Sequence, residues 1–286
     1  MKWYIIFFCL ADISALAQTE SLTEVNKTLE AVHAVDQNAR SSLRSCEARF
    51  GVSATECKPL VMKMDSLDSI NQEVVFQLLE KGWPNAGQIS EKANDAIFLV
   101  VQHSSLEKQI KYSAVLKEAF VLGKVSPSKY AMFQDRLNVR QGKLQTYGSQ
   151  TGADQYGNVF FYPIHNITRV DSARREVGLS SIDAYKLNFP GGNVYLDTAR
   201  HVSNANIILI VHVGNGKQQA LKGIKLFVQN EVIGETDDKG FMYVLIPREN
   251  YQDLSLKFVA NDQKQIRYAL KGDRDFFDIY LMFNTL

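Results

Sequence analysis

The side chains that acid–base and anion-binding sites use occur together in the middle of the chain. His103 follows an apolar run, and Asp135 and Arg136 are adjacent. A neutral imidazole is the usual general base, a carboxylate can orient it, and a guanidinium holds an anionic group through its planar fork. We therefore predict one pocket in which His103 is the catalytic base and Asp135 orients it. The predicted ligand-binding residues of that pocket are Trp83, Gln102, Arg136, Gln145, Tyr147 and Gln150.

The same residues also fit a purely structural role. In that alternative His103 caps the C-terminus of its helix, and Asp135 pairs with Arg136 or Arg140 inside a buried network. The Asp135–Arg140 pairing is the weaker of the two, because residues five apart on a helix do not face each other. Both the ligand-binding and the structural interpretation stay open at this point.

Asp36 and Arg40 are a second candidate pair for ligand binding. Four residues apart on a predicted helix, they share one face, and a simple salt bridge there is worth about 0.3–0.5 kcal/mol. That salt bridge is the alternative to a functional role, in which both side chains reach the pocket around His103.

Motifs of the common catalytic and metal-binding classes are absent from the sequence. It contains no H-x-x-x-H, H-E-x-x-H or paired C-x-x-C, and no G-x-S-x-G, P-loop or G-x-G-x-x-G. We therefore expect no metal and no cofactor. His165, His201 and His212 are isolated, and we interpret each of them as structural.

The first 17 residues are typical of a secretory signal. Lys2 precedes the apolar run Trp3–Leu10, and Ala15-Leu16-Ala17 is a cleavage site of the A-x-A type. We expect cleavage near Ala17 and export to the periplasm or the extracellular space. A lipid anchor at Cys9 is the weaker alternative, because small residues do not precede it. No later segment approaches about 18 unbroken apolar residues, so the mature chain is not expected to span a membrane.

Two cysteines, Cys46 and Cys57, follow the predicted cleavage site. An even pair in an exported chain suggests a disulfide, here across a helical hairpin with its turn near Gly51. Two separate buried thiols are the alternative.

Bulk composition limits the partners of the chain. The 286 residues carry a formal net charge of +1, with 45% hydrophobic and 22% charged residues. These values are ordinary for a globular protein, and no basic excess points to nucleic acid. The partner is therefore expected to be a small polar or anionic ligand, or alternatively an envelope protein or glycan.

Apolar residues spaced three and four apart predict five helices in the first half of the chain. The predicted helices cover residues 19–50, 58–81, 90–102, 106–122 and 126–142. The third is apolar nearly all round, as expected for a central buried helix. An irregular region follows, with small helices near residues 170–177 and 181–185.

Near Asn206 the hydrophobic period changes from 3.6 to 2, which predicts about seven short strands and an antiparallel β-sandwich. The predicted fold class is therefore α + β multidomain. The predicted organisation is a signal peptide at residues 1–17, a helical domain at 18–190, a linker at 191–205 and a β-sandwich at 206–286.

Part of the C-terminal half resembles the carboxypeptidase-regulatory-like sandwich family. The resemblance covers roughly residues 206–284 and rests on residues 220–224, on residues 234–237 and on the turn Asp238-Lys239-Gly240. It implies an accessory module for folding, spacing or binding, and it implies no activity.

The helical part is similar to a widespread bacterial family of domains whose function is unassigned. The similarity covers about residues 36–185, so it implies a family and not a reaction. The matching residues are Asp36-Gln37 with Arg40, Gly82-Trp83-Pro84, Val101-Gln102-His103, Asp135-Arg136, residues 145–150, Tyr162-Pro163-Ile164, Val170-Asp171 with Arg174-Arg175, and Val177-Gly178-Leu179.

Two functions follow as hypotheses. In the first, the exported helical domain binds a small polar or anionic ligand around His103, Arg136 and Tyr147, with hydrolysis by His103 and Asp135 as an extension. In the second, the protein is a non-catalytic envelope interaction or structural protein, and the same residues form a buried packing network.

Overall fold

The computed structural model describes residues 22–51, 54–85, 87–189, 194–196, 205–251, 254–261 and 263–284. The segment assigned to a signal peptide lies outside the described residues. The α + β organisation is confirmed, because a mainly helical N-terminal region precedes a C-terminal group of mostly antiparallel strands. The α-helices are α1 Leu22–Phe50, α2 Lys58–Leu79, α3 Glu91–His103, α4 Leu106–Val121, α5 Pro127–Arg140, α6 Val170–Glu176 and α7 Ile182–Lys186.

Helix α3 is the centre of the helical region. Ser90 caps its N-terminus by accepting a hydrogen bond from the N–H of Ala93. Ala96, Ile97 and Val101 are fully buried, as the apolar sequence of this helix predicts. Helices α1, α2, α4 and α5 all contact α3. Its last residue, His103, therefore lies where neighbouring helices can add side chains to a common site.

The predicted disulfide between Cys46 and Cys57 is confirmed. The two sulfur atoms are 2.07 Å apart and the Cα atoms 5.8 Å apart, which is normal disulfide geometry. Cys46 lies in the last turns of α1, and Cys57 ends a short 3₁₀-helix just before α2. The bond therefore closes the hairpin of α1 and α2.

Three short strands form a sheet within the helical region. They are β1 Thr151–Ala153, β2 Val159–Phe161 and β3 Val194–Tyr195, in the order β1-β2-β3. The sequence places Val194 and Tyr195 in a linker, but they pair in parallel with β2. A two-residue strand has no periodicity of its own, so only its tertiary partner defines it. Most of the remaining predicted linker lies outside the described residues.

Seven strands make two sheets in the C-terminal region. They are β4 Asn206–Asn215, β5 Lys225–Val228, β6 Glu231–Glu235, β7 Phe241–Pro247, β8 Ser255–Val259, β9 Gln265–Ala269 and β10 Phe276–Phe283. One sheet has the order β10-β4-β7 and the other β6-β5-β8-β9. The pair β4 and β10 is parallel, which departs from the antiparallel pairing of the other strands in these sheets.

Strand β4 is buried on both of its faces. Ile207, Leu209 and Val211 belong to the core between the two sheets. Successive side chains alternate between faces, so the residues between them point outward from the sandwich. There Ile208 and Ile210 pack in a second cluster that includes residues of the helical region and of β7 and β10: Leu144, Phe160, Phe241 and Phe276. The helical region thus covers the outer face of the three-stranded sheet.

Within the described residues, no α-helix is long and apolar enough to cross a membrane.

Candidate functional site

His103 contacts a carboxylate on α1. Its Nδ1 lies 3.2 Å from Oδ1 of Asp36, which is 2% exposed. The same carboxylate accepts hydrogen bonds from Nε of Arg40 at 3.0 Å and from Nε2 of Gln37 at 2.8 Å. The predicted spacing of Asp36 and Arg40 on one helix face therefore does form a salt bridge, and the pair lies beside His103.

The surroundings favour a neutral imidazole at His103. Burial is the largest influence and lowers the pKa of His103, and the charges of Arg40 and Arg136 lower it further against the opposing effect of Asp36. Burial alone would raise the pKa of Asp36, but His103, Arg40 and Gln37 lower it to about 2. An ionised carboxylate only accepts hydrogen bonds, so Nδ1 carries the proton and Nε2 keeps its lone pair. No described residue forms a hydrogen bond with Nε2.

Arg136 is a partly buried cation that has no counter-ion among the described residues. Its Nε is buried and has no hydrogen-bond partner. Burial, followed by the charges of Arg140 and Arg40, lowers the pKa of Arg136 to about 10. No ion pair within the described part of the chain includes it. Arg40, by contrast, is paired with both Asp36 and Asp68.

Other unpaired polar atoms occur near the end of α3. Oε1 of Gln102 and Oε1 of Gln109 are buried and have no hydrogen-bond partner. The two residues are linked, because Nε2 of Gln109 donates to the carbonyl of Gln102 at 2.7 Å. Buried polar groups in native proteins are almost always paired, so such exceptions require an explanation.

Asp135 does not orient His103. Its carboxylate is fully buried and accepts from the backbone N–H groups of Thr146 at 2.8 Å, Tyr147 at 3.1 Å and Ser149 at 2.9 Å. Burial raises the pKa of Asp135, although these hydrogen bonds oppose that effect. The residue therefore fixes the loop after α5, and the carboxylate that contacts His103 is Asp36.

Gln145 and Gln150 hold the same loop together. Nε2 of Gln145 donates to the carbonyls of Gln150 at 2.9 Å and Tyr162 at 2.8 Å, and its Oε1 accepts from the N–H of Gln150 at 2.7 Å. Tyr147 shares this loop, and burial, with Asp135 next, raises the pKa of its hydroxyl. The loop residues thus have mutual partners that Arg136 lacks.

Trp83 contacts the opposite end of α3 from His103. Its indole Nε1 donates to Oδ1 of Asn94 at 2.8 Å, in the first turns of that helix. His103 is at the opposite end. The structure therefore brings together His103, Asp36, Arg40 and Arg136, with Gln102 beside them in sequence, and separates Trp83 from this group.

Arg174 is a buried residue that the sequence indicated only through its family resemblance. It is 2% exposed and donates to the carbonyls of Tyr147 at 2.6 Å, Gly148 at 3.3 Å and Ser180. Its guanidinium also lies over the ring of Tyr185 at 4.9 Å. These bonds attach α6 to the loop that Asp135 holds from the other side.

A second histidine–carboxylate cluster lies between β4, β10 and the turn after β1. His212 is fully buried, with Nδ1 2.6 Å from Oδ2 of Asp154 and Nε2 3.1 Å from Oδ1 of Asp278. The sequence predicts an isolated structural histidine here. A charged residue inside the apolar strand β10 was the available signal for a buried partner.

Neither cluster has the composition of a metal site. Among the described residues, no three His, Cys, Asp or Glu side chains group in a way that could hold a metal ion. Surface cavities occur between α1 and α2, one lined by Val35 and Asn38 and another by Val32 and Asn71, and neither includes His103 or Arg136. His103 itself reaches solvent, with 15% of its side chain exposed.

Residues 23–189 match the model of a family described as a family of unknown function (DUF6624). The match covers more than half of the chain and includes every residue of the polar cluster around His103. The C-terminal sandwich lies outside it. Neither a curated protein nor a solved structure matches this chain.

Proposed function

The chain belongs to the DUF6624 family of unknown function, and on that premise we propose that its helical domain binds a small anionic ligand between Arg136 and His103. The buried, unpaired Nε of Arg136 is the observation that carries this proposal. A buried cation without a partner costs several kcal/mol in desolvation, so structural arginines are normally paired. A ligand carboxylate or phosphate would supply the missing partner, and the planar fork of arginine suits both.

His103 adds a hydrogen-bond acceptor to this site. With its proton held at Nδ1 by Asp36, the free Nε2 accepts a hydrogen bond from a hydroxyl or amide group of the ligand. Arg40 is already neutralised by Asp36 and Asp68, so it orients this pair and does not compete for the ligand. Arg136 therefore supplies the positive charge that attracts the anion, and His103 orients the ligand by accepting its hydrogen bond at Nε2.

Hydrolysis is the second candidate, and the Asp36–His103 contact favours it. A neutral imidazole held by a carboxylate can take a proton from water or a hydroxyl group, as general bases do. Among the described residues, the carboxylate in contact with His103 is Asp36, so the base–orienter pair is His103 with Asp36. This candidate differs from simple binding in requiring turnover.

The cellular setting of this function is also a proposal. The basic residue, apolar run and A-x-A site at the N-terminus support export to the periplasm or extracellular space. The sandwich, with its likeness to carboxypeptidase-regulatory-like modules, would then be an accessory domain. The ligand would be a soluble anion or an anionic group on an envelope glycan or protein.

Anion-dependent thermal stabilisation tests the proposal. The mature chain is titrated with phosphate, acetate and citrate at constant ionic strength, and the melting temperature is recorded for the wild type and for Arg136→Gln. We expect at least one anion to stabilise the wild type, because a ligand that binds only the folded state raises its stability by mass action. Arg136→Gln should lose this response.

Arg175→Gln is the matched control for general charge effects. Arg175 is exposed and lies in the matched family segment. Its variant should keep the anion response of the wild type. An equal anion response in the wild type and in Arg136→Gln would contradict the proposal and favour the alternative of a structural packing network.

A further inference from the structure

One buried imidazole lies at the contact between the helical region and the sandwich. His212 lies on β4, while its two carboxylate partners come from different places: Asp154 from the turn after β1 and Asp278 from β10. Asp154 belongs to the matched family segment, and His212 lies beyond it. The imidazole is fully buried, as is the side chain of Asp154, whereas the side chain of Asp278 is 18% exposed.

The geometry favours the doubly protonated form of His212. Each ring nitrogen faces a carboxylate oxygen, at 2.6 Å on one side and 3.1 Å on the other. An ionised carboxylate only accepts, so both ring nitrogens must donate. A neutral imidazole has one N–H and would leave one of the two carboxylates facing a lone pair.

Aromatic rings around His212 also favour its charge. The ring of Tyr280 is stacked on the imidazole with centroids 4.4 Å apart and an interplanar angle of 11°. Phe160 and Phe241 lie at 5.1 Å and 5.3 Å. The faces of such rings attract cations, and the effect is larger where water is excluded.

The turn that carries Asp154 depends on this contact for its position. Asp154 accepts from the N–H groups of Tyr156 and Asn158, both at 2.9 Å, and from Nδ2 of Asn158 at 2.6 Å. Asn158 in turn donates to the carbonyl of Lys239 in the sandwich at 3.1 Å. The hydroxyl of Tyr156 lies so near Gly214 that a Cβ there would be 1.8 Å from it. This turn is thus seated on the sandwich by polar contacts centred on His212.

We infer that His212 is a proton-dependent latch that holds the β1–β2 segment of the helical domain onto the sandwich. The latch is closed while both ring nitrogens donate. Loss of the ring proton removes one charge-assisted hydrogen bond and the positive charge between the two carboxylates, so the segment opens more often. The inference concerns domain contact and does not depend on ligand binding at Arg136.

The latch depends on the charge of His212. Burial opposes its charge, but the hydrogen bonds and charges of Asp154 and Asp278 raise the pKa of His212 above its ordinary value of 6.5. The pKa of Asp154 is lowered: burial acts to raise it, but His212 and Asn158 outweigh that effect. Burial and Asp278 raise the pKa values of Tyr162 and Tyr280, so both hydroxyls stay neutral.

The sign of the pH effect follows from these directions. Because the folded-state pKa of His212 is raised, its contribution is fully present below about 6.5 and is lost as pH rises through the folded pKa. Because the pKa of Asp154 is lowered, its contribution is lost only as pH falls through that lowered value. The latch is therefore closed in mildly acidic solution and loosens towards alkaline pH.

Hydrogen exchange of the full mature chain at a series of pH values tests the latch. After correction for intrinsic exchange rates, protection of residues 151–161 should fall by up to about tenfold per pH unit above about pH 6.5, and then level off. Buried residues 96–101 of α3 serve as an internal reference and should show no such change. Protection of residues 151–161 that is constant from about pH 6 to 9 would overturn the inference.

Two variants give the matched comparison. His212→Gln can donate to one carboxylate but not to both, so its segment 151–161 should be weakly protected at every pH. His165→Gln alters an exposed histidine and should keep the wild-type pH profile. If His212→Gln does not fold, the wild-type series and His165→Gln still decide. A pH-dependent loss that survives in folded His212→Gln would also overturn the inference.

Discussion

His103 and His212 both contact an aspartate through Nδ1, yet their surroundings shift the imidazole pKa in opposite directions. His103 has one carboxylate and two nearby guanidinium groups, and its pKa is lowered. His212 has a carboxylate at each ring nitrogen, and its pKa is raised. At the His103 site, Nε2 keeps its lone pair and Arg136 has no ion-pair partner among the described residues. At the His212 site, each ring nitrogen has a carboxylate acceptor.

This difference separates a site that can accept a ligand from one that holds domains together. Complete pairing stabilises a fold, while a buried group left unpaired costs stability and persists where it has another use. Asp135 and Arg136 repeat the contrast in adjacent positions: the carboxylate of Asp135 has three backbone donors, and Nε of Arg136 has no partner. The predictions below test whether paired and unpaired groups differ as this view requires.

Removal of the His212 ring should have the largest effect on stability. His212→Phe keeps an aromatic ring but removes the imidazolium between Asp154 and Asp278, so the two carboxylates lose their counter-charge and one donor each. We expect a loss of about 3 kcal/mol or more in the free energy of unfolding, measured in urea near pH 6. The control His165→Gln should change it by less than about 0.5 kcal/mol. A loss below about 1 kcal/mol for His212→Phe would mean that the latch is not a structural element.

Asp135→Ala should have the second largest effect on stability, because it leaves three backbone N–H groups without their acceptor. Roughly 2–3 kcal/mol of unfolding free energy should be lost, and the same urea titration measures it. Asp183→Ala is the control, since 84% of the Asp183 side chain is exposed. A near-native Asp135→Ala variant would favour a functional role for this carboxylate.

Arg136→Met should be neutral or stabilising. Replacing a partly buried cation that has no ion-pair partner by an apolar side chain of similar length removes its desolvation cost, and we expect a gain of up to about 2 kcal/mol. Arg174→Met is the matched comparison and should instead destabilise, because Arg174 satisfies the carbonyls of Tyr147 and Gly148. Thermal melts of both variants distinguish them. Equal losses would place Arg136 in a structural network.

The two histidines should also affect the free energy of unfolding in opposite pH ranges. The folded-state pKa of His103 is lowered, so its contribution is present above about 6.5 and is lost as pH falls through the folded value. His103→Gln should therefore flatten the acid side of the profile, and His212→Gln the alkaline side. Each slope is at most about 1.4 kcal/mol per pH unit. Melting curves from about pH 5 to 9 measure it, and identical profiles for both variants would contradict the comparison.

Local signals in the sequence predicted much of the fold. The start of α5 near Ser126 and the seven strands after Asn206 both depend on neighbouring residues. The disulfide was also predictable, because the cysteines are only 11 positions apart. These features could be predicted because the residues that determine them are close together in the sequence.

The pairing within both histidine sites was not predictable in the same way. Asp36 and His103 are 67 positions apart, and Asp154 and His212 are 58 apart, so no spacing rule relates them. Asp135 was the predicted partner of His103, but its carboxylate accepts hydrogen bonds from the loop backbone instead. The apolar run of β4 did indicate the contact between the two regions, because a strand that is apolar on both faces must be packed against other elements on both faces.

An NMR titration of the imidazole nitrogens tests the central comparison most directly. Nitrogen-15 shifts distinguish the two neutral tautomers from the imidazolium, and His103→Gln and His212→Gln assign the signals. Near pH 6.5 we expect His103 to be neutral with its proton on Nδ1, and His212 to be doubly protonated, titrating only at higher pH. Titration of both histidines together near 6.5, or the reverse order of the two, would contradict this account.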